Sequence, residues 1–336
     1  MSGATSPAIA GPVPVLLVTG FLGSGKTTLL AHLLQDPEMG ETAVLVNEIG
    51  DVALDHHLLR RIDERTVLLS SGCVCCTMRG DLADELRALL GRRSRGEVPW
   101  FTRLVVETTG LAEPAPIVTT LLAEPVLRHH VRLEAIVATV DAVHAPGQLD
   151  RRPASVRQIA AADVIVLTKA DLAVPARRAH ATRLVRAIHP TVAVLESANG
   201  RIGLRALLAA AGRPPASRGQ PDPSGPHPAH DHLDGVEAFS LVFEEPLDWT
   251  VFGIWLTMLL ARHGADVLRV KGLLDTGGPG PVVLNGVQHA VHPPEHLDAW
   301  PDGDRRSRLT FVTAGLGRET IEASLRAFIA LVPSAA

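Results

Sequence analysis

Gly20-Phe21-Leu22-Gly23-Ser24-Gly25-Lys26-Thr27 follows the continuously apolar residues 13–19 and precedes the helix-forming residues 28–34. The stretch fits G-x-x-x-x-G-K-[ST] in the context that pattern requires, a strand, a glycine-rich turn and a helix. Glycines let the backbone curl until several N–H groups converge on phosphate oxygens, and the helix N-terminus adds partial positive charge. The spacing therefore predicts a nucleoside triphosphate site from Gly20, Gly23, Ser24, Gly25, Lys26, Thr27 and Thr28. Lys26 is placed to reach the β- and γ-phosphates and Thr27 to offer its hydroxyl to Mg2+.

Short apolar segments at 42–46, 67–69, 104–106, 134–142, 163–167 and 191–195 read as strands buried on both faces, so the expected class is α/β, a doubly wound, mostly parallel sheet. In such a sheet, polar residues just past the strand ends face the ligand crevice. The exit of the second strand carries Glu48, Asp51 and Asp55, candidates for Mg2+, a catalytic water or a second metal, or else a solvated acidic loop. At the fourth strand, Glu107-Thr108-Thr109-Gly110 pairs a carboxylate able to approach Mg2+ with a glycine N–H able to contact a γ-phosphate and sense its loss. The sixth strand ends in Thr168-Lys169-Ala170-Asp171. Asp171 can accept from guanine N1–H and N2–H2, a pair adenine lacks, while the Lys169 stem covers the ring. Ser197 and Ala198, after the last strand, can offer a backbone N–H to the guanine carbonyl.

All three cysteines of the chain lie together at Cys73, Cys75 and Cys76. They are too close for a disulfide framework. Adjacent thiols cannot easily both pack inward, and Zn2+ takes thiolates in a tetrahedral set that another group, with Glu48 the leading candidate, would complete. A redox pair at Cys73/Cys76 and plain packing are the rival readings. Residues 213–235 are dense in Pro, Gly, Ser, Asp and His. They read as a linker whose His227, His230 and His232 can catch metal loosely. Beyond it, residues 236–333 predict a smaller α+β unit, a sheet packed on helices 249–263 and 318–331, with Asp248 capping the first helix. Arg269, Lys271, His289 and His292 read as a solvated sheet face, with a partner-facing surface as the alternative, and Arg92-Arg93-Ser94-Arg95 as a solvated basic tip.

The 336 residues can bury a full core, and their net charge of −4 gives no global positive field for nucleic acid or anionic membranes. Aromatic residues are only 3% and Tyr is absent, so few platforms exist for stacking bases. Residues 1–12 read as a disordered leader without a signal peptide's basic start, and no window has a spanning helix's apolar length; the expected compartment is the cytoplasm.

Together these segments resemble the CobW/COG0523 family of P-loop GTPases, from Val13 to about Pro333. The resemblance rests on residues 20–30, Asn47 to Gly50, Gly72-Cys73-Val74-Cys75-Cys76 and Glu107-Thr108-Thr109-Gly110. It implies a P-loop GTPase domain over residues 13–212 and a CobW C-terminal domain over 236–333. It further implies GTP hydrolysis coupled to transfer of Zn2+, or in some branches cobalt, to a client protein; turnover is expected to be slow because no residue stands out as an arginine finger. It carries Lys26, Thr27 and Glu107 onto phosphate and Mg2+. Cys73, Cys75 and Cys76 go onto the metal motif with Glu48 nearby, and Lys169 and Asp171 onto guanine. The alternatives are a cobalt-handling GTPase of cobalamin biosynthesis, a metal-buffering or regulatory GTP-binding protein, and a P-loop kinase, and the expected state is a monomer or weak homodimer. One departure stands out: the family's Asn-Lys-x-Asp begins here with Thr168, which loses the amide that ties neighbouring loops, so a weakened guanine preference is expected.

Overall fold

The computed structural model describes residues 11–47, 67–71, 79–149, 152–212 and 235–331. Seven strands form the first sheet: β1 (Val13–Gly20), β2 (Thr42–Asn47), β3 (Val67–Ser71), β4 (Arg103–Glu107), β5 (Val131–Asp141), β6 (Val164–Thr168) and β7 (Ala193–Glu196). Their order is β3-β2-β4-β1-β5-β6-β7, and every pairing is parallel. The order reverses beside β1, so the loops leaving β1, β4, β5 and β6 meet at one edge, the switch point where doubly wound sheets bind ligands.

β1 shows why the pattern is continuously apolar. Val13, Val15 and Leu17 enter one core with Leu86, Phe101, Val118 and Leu121, while Leu16 and Val18 enter another with Leu29, Leu30, Leu33 and Leu207. A strand covered on both faces has no solvated side to mark with polar residues. The helices needed here are α1 (Lys26–Leu33), α2 (Arg79–Ser94), α3 (Pro114–Ala123), α4 (Leu127–His130), α5 (Ala145–Leu149), α6 (Pro153–Ala161), α7 (Pro175–Ile188) and α8 (Leu204–Ala211).

The second sheet is antiparallel, β11-β10-β9-β13-β8, with β12 paired to β10. Its strands are β8 (Val236–Phe243), β9 (Val267–Leu274), β10 (Val282–Val287), β11 (Ala290–Val291), β12 (Glu295–His296) and β13 (Ser307–Ala314). One face packs on α9 (Trp249–His263) and α10 (Arg318–Ala330) around Phe252, Trp255, Phe311, Ile321 and Leu325. Asp248 caps α9 by accepting from the Val251 N–H at 2.9 Å, as its position before the helix predicts. The other face meets the first unit: Leu268 and Val312 join the core built on α6 and α7.

That contact overturns the expectation of a solvated face at Arg269 and Lys271. Arg269 is 1% exposed, donates to the Ala161 carbonyl at 2.8 Å and pairs with Asp163 at the start of β6; Lys271 lies 3.6 Å from the same carboxylate. Burial alone would raise Asp163, but Arg269 and Lys271 outweigh it and hold the carboxyl at about 2. Nothing in the sequence of β9 names a partner 108 positions upstream. Arg93 departs from its reading too, because its guanidinium stacks 3.7 Å over the Trp100 ring instead of standing in solvent. No described helix is long and apolar enough to cross a membrane.

The same interface sets a pH dependence. His189 is buried beside this cluster, and burial, aided by Arg269 and Lys271, lowers it to about 3; His292 is lowered to about 4. Unfolding returns each imidazole to about 6.5, so between those values the unfolded chain binds more protons and stability rises with pH. Urea titrations should therefore show stability falling as pH drops from 6.5 toward 4, by up to about 1.4 kcal/mol per pH unit for each imidazole. His189→Leu should flatten that slope, and a wild-type stability level across the window would contradict the buried neutral assignment.

Candidate functional site

The loop between β1 and α1 turns through three left-handed glycines, Gly20 (φ 138°), Gly23 (φ 72°) and Gly25 (φ 91°). At Gly20 space is decisive as well: a Cβ would lie 2.2 Å from Thr139 Oγ1, a clash no side-chain adjustment of Gly20 removes. Ser24 is fully buried, its Oγ 2.6 Å from Thr139 Oγ1 on β5. Gly25 precedes α1 with no side-chain cap, so the first N–H groups of the helix face the loop, open to an anion. Lys26 Nζ donates to the Gly20 and Phe21 carbonyls at 3.0 and 3.2 Å and thus curls back over the loop.

Thr27 Oγ1 donates to Glu107 Oε1 at 2.9 Å, which joins the start of α1 to the end of β4. Gly110 follows three residues later and rests on the phosphate loop so closely that a Cβ there would lie 2.5 Å from the Leu22 nitrogen. A backbone this close to the loop needs glycine, although its φ is ordinary. Thr27, Glu107 and Gly110 are thus gathered as their strand-end positions predict.

On the other side, Lys169 adopts φ 53° and donates to the Gly23 carbonyl at 2.9 Å and to Asp141 Oδ2 at 2.7 Å. Asp141 is buried, which would raise its carboxyl, but bonds from Lys169, His144 and the Val143 N–H hold it below the ordinary range. Asp171 is solvent-exposed two residues beyond Lys169. The Ser197 N–H donates to the Leu167 carbonyl at 2.8 Å and cannot also meet a base. Of Ser197 and Ala198, the Ala198 N–H is thus the candidate left as a backbone donor. Thr28 is exposed on the first turn of α1.

The family whose signature is CobW/HypB/UreG, nucleotide-binding domain, matches residues 14–196, and the cobalamin synthesis protein cobW C-terminal domain matches residues 236–329. The chain belongs to the CobW/HypB/UreG family. Among its relatives, the zinc chaperone YjiA of Escherichia coli is 33% identical over 93% of this chain and 98% of that one. Zinc-regulated GTPase metalloprotein activator 1 of Schizosaccharomyces pombe is 33% identical over 57% of this chain and 47% of its own. The crystal structure of the Zn(II)-bound YjiA GTPase superposes with a TM-score of 0.72 at 29% identity, covering 94% of this chain and 99% of that one.

Within the family frame, Thr168 behaves differently from the sequence expectation. The loop tie assigned to the usual asparagine amide is present: Thr168 Oγ1 lies 2.6 Å from the Ser24 carbonyl and 3.2 Å from the Val140 carbonyl. A hydroxyl has one proton, and the shorter contact with Ser24 takes it. Sequence reasoning assigned no role to Asp141, Thr139 or Gln158, although all three contact site loops; an acidic residue at a strand exit was the only available signal, at Asp141. Glu48, Cys73, Cys75, Cys76, His227, His230 and His232 lie outside the described residues, as do Asp51 and Asp55. Among the described residues no group of three His, Cys, Asp or Glu side chains is gathered to hold a metal.

Thr168→Val keeps the shape and removes the donor, leaving the Ser24 carbonyl without it in a buried place. The orphaned group costs about 1–3 kcal/mol, so GTP and GDP affinities should both weaken about tenfold or more by calorimetric titration. Unchanged affinities would mean that the hydroxyl bridge does not seat the loop.

Proposed function

We propose that this chain is a GTP-hydrolysing metallochaperone that takes Zn2+ or a related divalent ion as cargo and hands it to a client protein according to its nucleotide state. The observation that carries the reading is the convergence of Lys26, Thr27, Glu107 and Gly110 around one uncapped helix end, with Lys169 and Asp171 across the loop. Support for the cargo comes from the relatives, named zinc chaperone and zinc-regulated GTPase metalloprotein activator. We take residues 13–212 as the GTPase domain and 236–333 as the CobW C-terminal domain, joined by 213–235, with 1–12 as leader.

In this reading the glycine-rich turn and the N–H groups of α1 bind the phosphates, and Lys26 leaves its carbonyl partners for the β- and γ-oxygens. The hydroxyl and carboxylate oxygens of Thr27 and Glu107, 2.9 Å apart, are hard donors that fit Mg2+. Bound there, Mg2+ would supply positive charge against the β- and γ-phosphates. Gly110 turns its N–H to the γ-phosphate and responds to its loss. Glu48, past β2, is the candidate to orient the attacking water or to complete the cargo site. Asp171 reads guanine, Lys169 covers it, and Ala198 meets its carbonyl. The cargo ion is held by Cys73, Cys75 and Cys76, with His227, His230 and His232 as weaker captors.

Delivery requires the two nucleotide states to differ in metal affinity. Zn2+ titrations of the protein loaded with GDP or with a non-hydrolysable GTP analogue should differ at least about tenfold, a coupling of about 1.4 kcal/mol. Cys75→Ala and Cys76→Ala should remove the tight site in both states while leaving GTP binding intact. Equal Zn2+ affinity in both states, or tight binding that survives loss of both thiols, would refute the delivery reading.

A further inference from the structure

Helix α6 spans nine residues and touches three parts of the molecule that the proposed reaction needs. At its start, Arg152 lies over the ring of Phe21 in the phosphate loop, 5.8 Å from the centroid. Midway, Gln158 is 1% exposed and its side-chain amide donates to the Gly110 carbonyl at 3.2 Å and the Ala112 carbonyl at 3.0 Å. Its neighbour Arg157 pairs with Glu113 at 2.5 Å. At the far end, the Ala161 carbonyl accepts from Arg269 of the second sheet, and Arg269 also holds Asp163 just beyond the helix.

The orientation of the Gln158 amide is settled by its partners. Carbonyls only accept, so the NH2 group faces Gly110 and Ala112, and Oε1 points away. Among the described residues Oε1 has no partner, nor has the buried Ser155 hydroxyl. Both residues line a small cavity with Phe21 and Thr139, of about 10 Å3. That is room for about one water, which could satisfy both groups. Gly110 is therefore fixed on two sides, by the Leu22 backbone and by Gln158. Holding the Gly110 and Ala112 carbonyls sets the peptide planes on the C-terminal side of Gly110. Among the described residues the Gly110 N–H has no backbone acceptor.

We infer that Gln158 is a positioning residue for the γ-phosphate loop, and that α6 fixes this loop relative to the C-terminal sheet through Arg269. The inference rests on the hydrolytic reading above and deepens it. The same helix that orients the γ-phosphate contact is bolted at its end to the second domain. Displacement of Gly110 on loss of the γ-phosphate is thus felt there through one short rigid element.

The test uses the full chain and compares Gln158→Leu, Ser155→Ala and Arg269→Lys with wild type. Loss of the two amide hydrogen bonds, each about 1 kcal/mol, should raise KM for GTP about tenfold in Gln158→Leu with kcat changed much less. Affinity for a non-hydrolysable GTP analogue should fall by a similar factor while GDP affinity stays, because Gly110 meets only the γ-phosphate. Ser155→Ala, in the same cavity without touching a loop carbonyl, should behave as wild type. Arg269→Lys keeps the charge but loses the paired donors, and should shift the analogue-to-GDP affinity ratio in the same direction by less. An unchanged ratio in Gln158→Leu, or an equal fall in Ser155→Ala, overturns the positioning role, and an unchanged ratio in Arg269→Lys overturns the link to the second sheet. If wild type binds both nucleotides without turning over GTP, the proposed hydrolysis fails, and the ratio in Gln158→Leu still decides where the loop is held.

Discussion

The buried pair of bonds at Ser24 is the constraint on which the site depends. Its hydroxyl meets Thr139 on β5 and its carbonyl meets Thr168 at the end of β6, both at 2.6 Å. A loop that turns through three left-handed glycines gives up much backbone freedom, and its own short-range bonds offset only part of that cost. Fastening its middle residue to two neighbouring strands converts a permissive stretch into a fixed cradle. Because both bonds are buried, water offers no cheap substitute for either. Lys26 and Lys169 then lie over the loop from opposite sides, held by carbonyls of the loop itself.

A second constraint joins the two sheets. Burying a cation and a carboxylate together yields little net stability, since desolvation offsets most of their attraction. Leaving either one alone would be far more costly, so the Arg269–Asp163 pair specifies how the C-terminal sheet seats on α6 and β6 more than how strongly. Leu268 and Val312 supply the apolar contact around it. The antiparallel sheet thereby has two covered faces, one on α9 and α10 and one on the first unit. This is why polar residues on β9 were misread: strand alternation distinguishes two faces but does not say that the second face is covered by another part of the chain.

The legible part of the site is confined to groups whose chemistry is written next to one another. The phosphate loop, the carboxylate and glycine after β4, and the Lys169–Asp171 turn each sit within a few residues, at strand ends, and the parallel sheet brings strand ends together by rule. The Asp248 cap was readable for the same reason, because a cap acts over three positions. Thr168 could be recognised as a departure from the family's asparagine, but its consequence could not. The identity of the atom within reach of its hydroxyl depends on a residue 144 positions away.

The sequence by itself determined the α/β class, the phosphate-binding turn, the clustered thiols, the succession of two units and the family, because each is carried by local periodicity or by short motifs. Only the tertiary structure decided that Ser197 spends its N–H within the sheet, that Thr168 ties the loop, that Gln158 holds Gly110, and that Arg269 is buried against Asp163. Those outcomes depend on which distant polar groups become neighbours once water is excluded. Hydrogen-bond satisfaction in a core is settled by three-dimensional proximity, which spacing along the chain does not encode.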